Sequence, residues 1–160
     1  MVAARGEAIF CVLITRKHPS RGFLFDLPRH LGEKKRALDY YVELFAPGDP
    51  TPYLLVQVKT TRRGYTRDGR LRVRMSSTEL RRLAAYPAPT YVVGIDEVGE
   101  QGYIVSTGGK SEVGFSAMCT DHPLTPYVLS QLRDEVEAYW QSPAQPAFRS
   151  VLADPRWRQL

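Results

Sequence analysis

The chain has 160 residues, 43% of them hydrophobic, and 22 Lys and Arg against 17 Asp and Glu give a formal charge of +5. That length suits one domain with a sizeable core, and the positive balance favours an anionic partner, nucleic acid first. No apolar run nears the roughly 20 residues of a bilayer crossing. Two cysteines, Cys11 and Cys119, and three scattered histidines exclude a disulfide framework and a four-ligand zinc site. A reduced, cytoplasmic protein without a membrane segment is expected.

In chain order, the apolar run Ala8 to Ile14 follows Arg5, but Arg16-Lys-His-Pro19 stands where a signal peptide needs small residues. The pattern predicts a mostly buried helix over residues 3–17, with Glu7 as its acid. After a basic stretch, Arg29 to Arg36, residues Leu38 to Phe45 read as a strand. A loop with three prolines, Ala46 to Pro52, leads to Tyr53–Thr60, the second strand of a hairpin. Arg62 to Arg70 is a polar loop, Leu71 to Met75 alternates as a half-exposed strand, and Ser76 with Glu79 has the spacing of a capping box. A helix over residues 77–86 follows. Thr90–Ile95 and Gly102–Thr107 predict a second hairpin, and Thr125-Pro126 opens a helix that carries Val128 to Trp140. Residues 1–141 are thus expected to form one α/β domain around a mixed sheet flanked by helices. Residues 142–160 form a Pro-rich, loosely packed tail that Phe148, Val151, Leu152 and Trp157 are able to dock.

Several catalytic motifs fail. Gly108-Gly-Lys-Ser111 resembles the end of a phosphate-binding loop, but position 104, where that loop needs glycine, is Ile. There is no Gly-x-Ser-x-Gly elbow, and Cys11 lies in an apolar helix where a thiol is usually inert packing. What remains is Asp39-Tyr-Tyr-Val-Glu-Leu followed by Leu54-Leu-Val-Gln57-Val-Lys59. With the hairpin centred on Asp49, Asp39 faces Lys59 and Tyr41 faces Gln57, so Asp39, Gln57 and Lys59 share one side of the sheet. A carboxylate and an amide oxygen are hard ligands for Mg²⁺ or Mn²⁺, and the lysine supplies a positive charge for a phosphate oxygen or a hydroxide. Glu43, four residues along the strand and about 13 Å from Asp39, is too far away to share one ion and is read as a structural acid.

An acid on one strand and Gln-x-Lys on the next resembles the core of the PD-(D/E)XK nuclease superfamily, in its variant with glutamine in the second position. The wider pattern is similar to one bacterial family of that superfamily, domain of unknown function 4365. It spans Glu7, Asp39-Tyr-Tyr-Val-Glu-Leu, Val56-Gln-Val-Lys-Thr-Thr61, the helix ending near Tyr86, and Ala88-Pro-Thr-Tyr-Val-Val-Gly-Ile-Asp96. The resemblance implies a restriction-endonuclease-like core and Mg²⁺-dependent hydrolysis of nucleic-acid phosphodiesters, DNA foremost, in bacterial defence or DNA processing. It makes Asp39 the central metal ligand, Gln57 a second ligand, Lys59 the catalytic lysine and Glu7 the acid that completes the metal site. The sequence departs from the family in the basic segment Glu33 to Leu38 and in the neutral Gln57. The alternative is a catalytically inactive module of the same fold that binds nucleic acid or a partner protein, as a toxin, immunity or defence component.

Nine Lys and Arg residues lie between Lys59 and Arg82, and Arg62, Arg63, Arg67 and Arg70 follow the lysine most closely. Guanidinium groups bind phosphate bidentately, so this loop is expected to hold a nucleic-acid backbone, with Tyr65 placed to stack on a base. The bland alternative is a solvated face.

Overall fold

The computed structural model describes residues 1–32, 38–45, 51–107, 113–142, 148 and 150–156. Helix α1 (Val2–Ile14) precedes a small hairpin of β1 (Lys17–His18) and β2 (Gly22–Phe23). A five-stranded mixed sheet follows in spatial order β3 (Arg29–His30), β4 (Tyr40–Glu43), β5 (Tyr53–Thr61), β6 (Thr90–Asp96), β7 (Gln101–Ser106). Neighbours are antiparallel except β5 and β6, which run parallel. A parallel pair needs a long crossover, and residues 62–89, with α2 (Ser77–Ala84), supply it. Helix α3 (Pro126–Gln141) closes the set, with Pro126 in its first turn and Thr125 as its N-cap, accepting from Val128 N–H.

One face of the sheet carries Tyr40, Val42, Leu54, Val56, Val58, Val93 and Ile104, packed against Phe10, Leu13 and Ile14 of α1 and Val128, Leu132 and Val136 of α3. The other carries Leu55, Val92 and Val105, covered by Leu80 and Leu83 of α2 and by Leu71, Val73, Met75 and Phe115. An eight-residue helix is too short to persist alone; burial of Leu80 and Leu83, each contributing about 2 kcal/mol, holds α2 on the sheet. Tyr41, Tyr53 and Trp140 stack with successive ring centroids 4.7 Å apart, and the indole N–H donates to Tyr53 O.

Three expectations need correction. Helix α1 buries one side only, leaving Ala4, Ala8 and Val12 exposed, because a helix lying on a sheet has a solvent side whatever its composition. Leu71–Met75 shows the expected alternation of burial, but its backbone makes isolated bridges to Tyr65, Met118 and Phe115 rather than joining the sheet as a strand. The β4–β5 register sets Tyr40 opposite Val56 and Tyr41 opposite Leu55, two residues away from the pairing centred on Asp49. Because the shift is by two residues, Tyr40, Val42, Leu54 and Val56 still bury on one face.

Beyond α3, Leu152 is fully buried and its carbonyl accepts from Ser106 N–H at 3.0 Å, so part of the C-terminal segment extends the edge of β7. Glu135 holds the same segment: its carboxylate accepts from Tyr91 and Ser150 hydroxyls, both at 2.6 Å, and from Val151 N–H at 3.0 Å. Phe148 packs on Tyr91 and Tyr139, whereas Val151 is exposed and Trp157 lies outside the described residues.

Candidate functional site

Strand β5 carries the centre of the site. Its alternate residues Leu54, Val56 and Val58 enter the α1 side of the core, which leaves Gln57 and Lys59, both half-buried, on the α2 side. A register slip of two residues preserves side-chain parity, so the shared face of Gln57 and Lys59 survives the corrected pairing.

Asp39 sits one residue before β4. Its backbone N–H donates to Val56 O at 3.0 Å, and its Oδ2 accepts Val58 N–H at 2.7 Å. The carboxylate is therefore anchored on the residue between Gln57 and Lys59. Burial pushes the Asp39 carboxyl up from its ordinary value, the Val58 N–H opposes that, and the charge of Glu7 adds to it, while His30 and Lys59 pull the other way.

Glu7 reaches this neighbourhood from α1. Helix and strand touch here: a Cβ on Gly6 would lie 1.8 Å from Thr60 Oγ1, so only glycine lets α1 approach β5 this closely. The next residue, Glu7, accepts a hydrogen bond from the Tyr40 hydroxyl at 3.3 Å. Tyr40 is in turn packed between Phe10 and His30, ring centroids 5.4 and 5.3 Å away.

Two oxygens at the site, Gln57 Oε1 and Glu79 Oε2, are buried without a hydrogen-bond partner among the described residues. Glu79 is the member that sequence reasoning missed. The Ser76–Glu79 spacing does form a cap, with Ser76 Oγ accepting from Glu79 N–H at 3.1 Å, but the Glu79 carboxylate also stands 3.3 Å from Lys59 Nζ. The local spacing explained Glu79 fully as a helix residue, and nothing in it pointed to β5. His30 and Tyr40 were passed over for the same reason: their roles depend on the β3–β4–α1 packing.

Gln57 lies on the α2 side of β5, whereas Glu7 comes from α1, where it meets Tyr40, and it acts on Asp39 through its charge. Among the described residues no three His, Cys, Asp or Glu side chains stand together as a metal-binding group. The orphaned Gln57 Oε1 is the feature that fits a hard cation, since a buried carbonyl oxygen with no donor keeps its lone pairs for one.

The basic loop divides. Arg62 is paired with Glu97, whose side chain is 4% exposed and which also meets Arg5 Nε at 3.3 Å. Arg70 pairs with Asp68 at 2.8 Å. Arg63 and Arg67 are exposed and make no ion pair among the described residues. Tyr65, expected as a stacking residue, is tied back: its hydroxyl is 3.0 Å from Asp96 Oδ2 and 2.8 Å from the Tyr103 hydroxyl. It anchors the loop to the ends of β6 and β7. Glu43 lies 3.8 Å from Arg29 on the edge strand, as fits a structural acid. Burial holds both thiols above their ordinary range, Cys119 at about 11, so neither is an activated nucleophile.

Compared with family models, with curated proteins and with solved structures, the chain finds no match. No helix among the described residues is long and apolar enough to cross a membrane.

Proposed function

We propose that the protein is a divalent-metal-dependent nuclease with a PD-(D/E)XK-type site on a restriction-endonuclease-like core, hydrolysing nucleic-acid phosphodiesters, DNA foremost. The observation that carries this reading is the convergence on β5: Asp39 bonded to Val58, with Gln57 and its orphaned Oε1 on one side in sequence and Lys59 on the other. Asp39, Gln57 and Glu7 would hold Mg²⁺ or Mn²⁺, which would supply Lewis acidity and a nucleophilic water at neutral pH. Lys59 would offer its ammonium to a phosphate oxygen, and Arg63 and Arg67 would hold the backbone leading to the site. A reduced compartment such as the cytoplasm fits the two free thiols.

One observation favours a second reading, an inactive module of the same fold: the donor set has only two carboxylates, and a neutral third ligand holds a hard cation less firmly. Incubating supercoiled, linear and single-stranded DNA, and RNA, with Mg²⁺, Mn²⁺ or chelator separates the two. Metal-dependent cleavage of any substrate supports the enzyme. Binding without cleavage under every condition supports the module.

A further inference from the structure

We propose, on the basis of the nuclease reading of this same site, that Glu79 is a positioning residue: its carboxylate fixes where the Lys59 ammonium stands when a phosphodiester enters. Lysine is a point charge on a flexible four-carbon stem, so its usefulness beside a reacting phosphate depends on what restrains it. Among the described residues the ion pair that restrains it is the one between Lys59 Nζ and Glu79 Oε2, 3.3 Å apart.

The partner is itself held firmly. Glu79 N–H is capped by Ser76 Oγ, Leu80 beside it is fully buried, and the chain entering α2 is clamped by reciprocal Met75–Phe115 backbone bonds, both 2.9 Å. A Cβ on Gly114 would lie 2.4 Å from Met75 O, so the segment bearing Phe115 lies directly on that entry. Among the described residues Glu79 Oε2 has no hydrogen bond, and the Lys59 ammonium is the charge that compensates it.

The charged group that Glu79 meets is Lys59, 3.3 Å away, and it acts through that ammonium. A carboxylate at this position also serves the helix end, because a negative charge in the first turn meets the positive end of the helix dipole. The test has to separate these two roles.

Competitive acetylation of the folded protein, read by mass spectrometry, compares Lys59 with Lys17, an exposed reference on β1. Glu79→Gln should raise the Lys59-to-Lys17 labelling ratio several-fold, because the ammonium loses its dock. Ser76→Ala, which weakens the same helix end and leaves the carboxylate in place, should leave the ratio near wild type. In the cleavage assay Glu79→Gln should lower kcat by about tenfold to a hundredfold with KM little changed. An unchanged labelling ratio in Glu79→Gln overturns the proposal, as does an equal rise in Ser76→Ala, which would assign the effect to fraying. Equal kcat in wild type and Glu79→Gln also overturns it. A wild type that cuts none of the substrates defeats the nuclease reading alone; the labelling ratio then still decides whether Glu79 positions Lys59.

Discussion

Asp39 and Glu97 are both carboxylates beside β5, and the fold treats them in opposite ways. Glu97 follows β6, its N–H donating to Thr61 O, and it is enclosed by the guanidinium groups of Arg62 and Arg5. Hydrogen bonding from Arg62 leads the causes that hold its carboxyl below the ordinary range, against a smaller opposing effect of burial. Asp39 has burial and the charge of Glu7 working against its own charge, and the Val58 N–H, His30 and Lys59 only partly offset them. A carboxylate neutralised by two cations ties α1 to the β6–β7 turn, which is a structural role. A carboxylate held above its ordinary range mainly by burial costs stability while it is charged, the kind of perturbation that clusters at functional sites.

The comparison can be broken most decisively at Lys59 and Asp39. Lys59→Ala should lower cleavage by about a thousandfold or more while nucleic-acid affinity stays nearly intact, since one charge among many adds little to backbone attraction. Asp39→Ala should lose cleavage and metal affinity together, a difference that calorimetric Mn²⁺ titration run beside the cleavage assay would show. If Asp39→Ala keeps full metal affinity, the contrast with Glu97 has been misassigned.

A smaller effect is expected in stability against pH, and the signs oppose each other. Glu97, with its folded value lowered, contributes stability that is present above the ordinary carboxylate range and is lost as pH falls through its folded value. Asp39, with its folded value raised, contributes the reverse: stability rises as pH falls from the raised value toward the ordinary one. Denaturant titrations across the acid range should therefore show Glu97→Gln losing most at neutral pH and converging on wild type in acid. Asp39→Asn should melt a few degrees above wild type at neutral pH, the gain narrowing in acid.

The smallest predicted effect concerns the loop. Arg63→Ala with Arg67→Ala should weaken nucleic-acid binding across sequences and flatten its salt dependence by about two phosphate contacts. Arg62→Ala should change that slope less, because its guanidinium is already engaged by Glu97. A slope equal to wild type in both variants would return the loop to the class of solvated surfaces.

The elements that sequence reasoning located are those whose reasons are local. The Thr125-Pro126 start of α3, the apolar run of β6 and the β-branched residues of β5 each state their structure within a few positions. The parity that gathers Gln57 and Lys59 is local too. What escaped is not stated locally: the β4–β5 register, since a slip of two residues keeps every side chain on its face and so leaves no mark in the apolar pattern, and the bridges that keep Leu71–Met75 outside the sheet. Glu79 escaped because its spacing from Ser76 already had a sufficient explanation. Arg62 escaped in the other sense, since a charge run gives no sign of which member has a buried acid waiting for it.

Gly6 has a consequence of its own. Because a methyl group there would collide with Thr60, the height of α1 above the sheet is a gauge set by two residues that carry no charge. Glu7, next along the helix, inherits its reach toward Asp39 from that gauge as much as from its own side chain. Enlarging residue 6 would lift the acid off its neighbours while every ionisable group in the chain stayed the same.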